Sequence, residues 1–90
     1  MSAQNVSLLA QRLRELLVKL DTFDQRFEDN FQILDARWAQ LDQVWDGSAY
    51  ASFSGGWEDV RAMMEKYIEL SRGYEEYLRD RVKALEDFES

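Results

Sequence analysis

Apolar residues recur every three or four positions across the first half of the chain: Val6, Leu9, Leu13, Leu16, Leu20, Phe23, Phe27, Phe31, Leu34, Trp38, Leu41 and Trp45. That period follows the 3.6-residue turn of an α-helix and keeps one face apolar for about eleven turns. A second stripe of the same period runs through Phe53, Trp57, Val60, Met64, Tyr67, Leu70, Tyr74, Leu78, Val82, Leu85 and Phe88, interrupted by Gly73 and softened by Ser71. Between the two, residues 43–57 hold three of the four glycines and two of the three tryptophans. The pattern predicts one domain made of a helix over about 5–45, a turn at about 46–48 and a helix over about 49–88.

Two helices with one apolar face each, joined by a short glycine-containing turn, must fold back on one another to cover those faces. Gly47 suits the residue just after the first helix, because glycine adopts positive φ without steric cost. Ser48 is then placed to cap the second helix, as Asn5 or Ser2 is for the first. Asp46 adds a short polar side chain that tolerates turn conformations, and Trp45 is positioned to close the end of the seam. The Gly55-Gly56 pair, costly inside a helix, reads as a point of close approach or a weak spot.

Leu8, Leu17, Ile33, Val44, Met63, Ile68 and Tyr77 flank the two stripes and widen them beyond what one partner helix covers. Leaving that strip in water forfeits many kcal/mol at roughly 25 cal/mol per Å². The expected fold is therefore all-α: an antiparallel two-helix hairpin that dimerises into a four-helix bundle. Leu13, Leu20, Phe27, Phe31, Trp38, Trp57, Met64 and Tyr67 are the expected interface residues, and Trp45, Asp46 and Gly47 the turn motif.

Composition narrows the function. Across 90 residues there is no His, no Cys and no Pro, and the net charge is −7. Without His or Cys, imidazole acid–base catalysis, thiol chemistry and the usual zinc and di-iron ligand sets are absent, so the chain reads as a binding protein without enzyme activity, metal or cofactor. The acidic balance disfavours nucleic acid and anionic membrane surfaces. No apolar run approaches the ~20 residues of a membrane span, which argues against stable membrane insertion. The first residues lack the order of a cleaved leader. Charged pairs such as Glu15/Lys19 and Glu75/Arg79 fit the solvated faces of the helices.

The central Trp45-Asp46-Gly47, followed by Ser48-Ala49 and Phe53, at the midpoint of a chain of about a hundred residues with two amphipathic helices, resembles the WXG family of small type VII (ESX) secretion proteins, the early-secreted-antigen type. The resemblance spans essentially the whole chain. It implies a hairpin that pairs as a homodimer or with a second WXG-type protein and is exported folded, without a cleaved signal peptide, by an FtsK/SpoIIIE-like ATPase. Many secreted members carry Tyr-x-x-x-Asp/Glu after the second helix; here Tyr77 is followed at that spacing by Arg81 and Tyr74 by Leu78. A partner bearing that signal, a divergent signal, or a family-like domain that is not exported all fit this departure. An intracellular coiled-coil adaptor with a coincidental Trp-x-Gly turn is the alternative reading.

Overall fold

The computed structural model describes residues 3–89. Two long helices, α1 (Ala3–Asp42) and α2 (Ser48–Glu89), run antiparallel and pack along their full length, and no strand occurs among the described residues. Forty residues at 1.5 Å each give a rod of about 60 Å, in keeping with principal extents of 65 × 17 × 14 Å. The radius of gyration is 20.0 Å, against about 12 Å for a compact chain of this length.

The reversal differs in detail from the reading of the sequence. Helix α1 stops at Asp42, and a bond from the Val44 N–H to the Leu41 carbonyl (3.0 Å) tightens its end. Gly47 has φ of 95°, and its carbonyl accepts from the Ala51 N–H at 3.0 Å. That bond is the first of α2, so Gly47 occupies the N-cap of the second helix instead of directly following the first, and Ser48 lies inside the helix. Glycine serves at an N-cap nearly as well as Ser or Asp, and the positive φ sets the angle at which the chain enters α2. Asn5 lies within α1, and Ser2 lies outside the described residues. Gly55, Gly56 and Gly73 all sit in α2 with no atom within 4 Å of where a Cβ would stand. No close approach to the Gly55-Gly56 pair occurs within the hairpin.

The hairpin encloses little. Among the described residues the buried apolar side chains are Val6, Ala10 and Val82, all toward the end opposite the turn. Large apolar side chains from Leu9 to Phe88 stand exposed instead. The accessible surface is 6838 Å², well above the roughly 5,500 Å² of a compact monomer of this mass. Two helices share only one seam, and that geometry leaves the rest of each stripe in solvent.

Candidate interaction surface

The sequence of α1 sorts itself around one heptad series: Leu17, Asp24, Phe31 and Trp38. These positions face α2. The residues three further on are Leu20, Phe27, Leu34 and Leu41, all apolar; those four further on are Asp21, Glu28, Asp35 and Asp42, all acidic. A three-residue step falls about 60° to one side of the seam and a four-residue step about 40° to the other. On α2, Leu70 and Tyr74 stand three residues after Tyr67 and Ser71. Because the helices are antiparallel, the same offset on each falls on the same side of the hairpin. One flank is consequently apolar and the other charged.

On the charged flank, ion pairs tie α1 to α2. Arg14 Nη1 reaches Glu86 at 2.6 Å, Arg61 Nη2 reaches Asp35 at 3.0 Å, and Arg72 bonds Asp21 at 2.8 Å and Glu28 at 3.2 Å. On the other flank Leu16, Leu20, Tyr67, Leu70, Tyr74 and Tyr77 border an open groove of about 460 Å³. Tyr74 and Tyr77 are 66% and 60% exposed and Leu16 is 53% exposed. Nearer the turn Leu34, Trp38, Leu41, Phe53 and Trp57 border a smaller groove of about 210 Å³.

The turn is built on stacked rings. Trp38 lies parallel to Tyr50 at 6.0 Å, with Phe53 at 5.2 Å and Trp57 at 6.1 Å on its other contacts. Trp45 meets Tyr50 edge-on at 6.0 Å and Phe53 at 5.6 Å. The Tyr50 hydroxyl donates to the Asp42 carboxylate, linking the last residue of α1 to the first turn of α2. Trp45 is half-buried and Asp46 exposed, so the Trp-x-Gly motif both clamps the reversal and leaves part of an indole in solvent. The Trp57 indole N–H is buried without an acceptor in the hairpin.

Midway along the seam lies a polar cluster, of which the sequence reading assigned Glu75 to a solvated face. Asp24 is fully buried, and Glu75 and Ser71 are 2% and 4% exposed. Asp24 accepts from the Tyr67 hydroxyl at 3.0 Å and from the Ser71 hydroxyl. Burial works against its charge, yet hydrogen bonds from Glu75, Ser71 and Tyr67 hold its carboxyl below the ordinary range. Burial, and then the hydrogen bond to the Asp24 carboxylate, pushes the Tyr67 phenol up. Arg72 forks onto both oxygens of Glu75 at 2.9 Å. Even so, burial, together with the neighbouring Asp24 and Asp21, raises the Glu75 carboxyl to about 7. Glu75 thus belongs to the seam and pairs with Arg72, instead of standing on a solvated face. The signal was present in the heptads. Leu17, Asp24, Phe31, Trp38 and, on α2, Trp57, Met64, Ser71, Leu78 are each broken once by a polar residue, and the two breaks meet.

Leu13, Leu20, Phe27, Phe31, Trp38, Trp57, Met64 and Tyr67 are all half-buried. Ring contacts join Phe27 to Tyr67 at 4.7 Å and Trp38 to Trp57, and Phe31 and Met64 border a common groove. These side chains lie between the hairpin's own helices, and Leu20, Tyr67, Trp38 and Trp57 also floor the apolar grooves. The more exposed walls, Leu16, Leu70, Tyr74 and Tyr77, carry the larger open area.

A family model described as proteins of 100 residues with WXG matches residues 5–90, nearly the whole hairpin and the turn at its centre. The chain belongs to the WXG100 family. This family consists of small helical proteins associated with type VII secretion. No curated protein and no solved structure gives a match. In this WXG100 hairpin no described helix is long and apolar enough to cross a membrane, and among the described residues no group of His, Cys, Asp or Glu is placed to hold a metal ion. What the hairpin presents at its surface is an open apolar flank and a charged one.

Proposed function

We propose that this chain is a type VII secretion substrate or a co-secreted partner, acting by protein–protein binding, and that it works as half of a four-helix bundle. The observation that carries this reading is the uncovered apolar flank. Leu16, Leu34, Leu70, Tyr74 and Tyr77 stand 49–66% exposed on one side of the rod, an area that a second hairpin of the same length covers. The partner is a second copy or another WXG-type protein, packed so that its apolar flank faces this one. Leu13, Leu20, Phe27, Phe31, Trp38, Trp57, Met64 and Tyr67 would then form the floor of the bundle core. The exposed part of the Trp45 indole serves as half of a recognition patch, with a partner supplying the tyrosine signal that Tyr74 and Tyr77 lack. Recognition by an FtsK/SpoIIIE-like ATPase and release without a cleaved signal peptide complete the reading.

Fractionating cultures of the source organism with and without its export ATPase tests it. The protein is expected outside the cell only when the ATPase is present. Retention in the cytoplasm of both cultures, with any partner co-expressed, would instead support an intracellular adaptor. Sedimentation of the purified chain separates the two kinds of partner: a mass near twice 10.7 kDa indicates a homodimer, and a chain that doubles its mass only with a second WXG-type protein indicates a heterodimer. A folded Trp45→Phe variant that dimerises but is not exported would assign the indole to recognition beyond its place in the turn.

A further inference from the structure

The middle of the seam carries an imbalance of charge that packing alone does not require. Four carboxylates surround one guanidinium: Asp21 and Glu28 on α1 and Glu75 on α2 bond Arg72 directly, and Asp24 on α1 lies against Glu75. Asp24 and Glu75 are almost wholly shielded from water. The other polar groups facing them are the Tyr67 and Ser71 hydroxyls of α2, both already donating to Asp24. Two adjacent carboxylates out of water do not both hold a charge when only one cation stands beside them. One of them takes a proton and donates it to the other.

We propose that Asp24 and Glu75 form a proton-sharing latch across the two helices, closed while the Glu75 carboxyl carries a proton and loosened when that proton leaves to solvent. Asp24 is the acceptor, since two hydroxyls already favour its charged form. Glu75 is the donor, its carboxylic O–H directed to an Asp24 oxygen and its remaining acceptor capacity turned to Arg72. Ionisation replaces that hydrogen bond with repulsion between two buried anions, and α1 and α2 part at their midpoint.

The sign follows from linkage. The carboxyl of Glu75 sits at about 7 in the folded chain against 4.5 for an ordinary glutamate. Its contribution to stability is therefore complete below the ordinary value and disappears as pH rises through about 7. Asp24, whose carboxyl is held low, has the opposite sense, and its contribution disappears only as pH falls through that lowered value. The hairpin is then most stable in mild acid.

The chain itself makes the test clean. With no His and no Cys, its only other group with an ordinary pKa between about 5.5 and 8.5 is the α-amino group. Thermal melts of the full chain at pH 5.5 and 8.5, at one protein concentration, should show a midpoint several degrees lower at the higher pH. A Glu75→Gln variant keeps the amino group and donates permanently through its amide. Its melting point should be the same at both pH values and close to the wild type in acid. A side-chain carboxyl ¹³C titration of the wild-type chain should place the Glu75 midpoint near neutrality, and Asp24→Asn should return it toward the ordinary glutamate range. A wild-type melting point that does not change with pH, or a Glu75 titration in the ordinary range, would overturn the latch. So would a Glu75→Gln chain that keeps the wild-type pH dependence.

Discussion

The two flanks of the hairpin derive from the same heptads and reach opposite ends. Four residues after each of Leu17, Asp24, Phe31 and Trp38 stands a carboxylate, and α2 answers with Arg61, Arg72 and Tyr50. Each of those four carboxylates finds a partner on α2, Asp21 and Glu28 sharing Arg72. Three residues after the same positions stands a leucine or phenylalanine, and α2 answers with more apolar rings that have nothing beyond them but water. The charged flank sets how the helices meet, since oppositely charged side chains at fixed heights resist sliding. The apolar flank holds the free energy not yet used by folding. One side is satisfied when the chain folds; the other is left open to water.

Changing the charge on each flank in turn should separate them most sharply. Leu16→Glu or Tyr74→Glu should leave helicity by circular dichroism nearly unchanged while weakening association by more than about 100-fold, because a carboxylate in a desolvated interface costs about 3 kcal/mol or more. Sedimentation of either variant, alone or with its partner, is the measurement. Association at wild-type strength would move the interface elsewhere. Arg72→Ala on the opposite flank should do the reverse, lowering stability by about 2 kcal/mol in urea titration while association of the folded fraction persists. Arg72 is only a third exposed, and its removal leaves Asp21, Glu28 and Glu75 with no cation.

Glycines sharpen the contrast between a strained site and an open one. Gly47→Val puts a β-branched side chain at positive φ and should cost about 1–3 kcal/mol in thermal melts. Gly73→Ala, with open space around its Cβ, should raise the stability of the monomer by up to about 1 kcal/mol. If the same Gly73→Ala change weakens the dimer, a partner backbone passes close to that position. Last, Arg14→Ala should change stability by under about 0.5 kcal/mol. Arg14 and Glu86 are each about half exposed, and 1 M salt should erase what difference remains.

Much of this was legible in the order of residues, for physical reasons that differ along the chain. Helices reveal themselves by period, so the two stripes of leucines and aromatic rings marked both elements and their antiparallel return. Gly47 marked the turn because few residues but glycine sit comfortably at positive φ. Its role as N-cap was not visible, since the end of α1 depends on where the Tyr50 hydroxyl draws Asp42 and on the Val44–Leu41 bond. Asp24 and Glu75 were hidden by a sound general rule. Charges on amphipathic helices face water, and only the coincidence of two heptads interrupted at the same height, by Asp24 and Ser71, marked the place where these do not, with Glu75 one turn beyond Ser71.

The hairpin's connectivity also fixes how it yields to force. The start of α1 and the end of α2 lie side by side at one end of a 65 Å rod, with the aromatic turn at the other. Traction on the trailing end of α2 loads the seam one layer at a time. The Arg14–Glu86 pair and the Val6, Ala10 and Val82 layer bear it first, the Asp24 cluster next, and the Trp38–Trp45–Tyr50 stack last. A pull at that end meets a zipper and not a lock, and each step need overcome only a few contacts. Traction applied to the turn draws both helices the same way and does not pull the layers apart, so the same fold opens readily from one end and resists from the other.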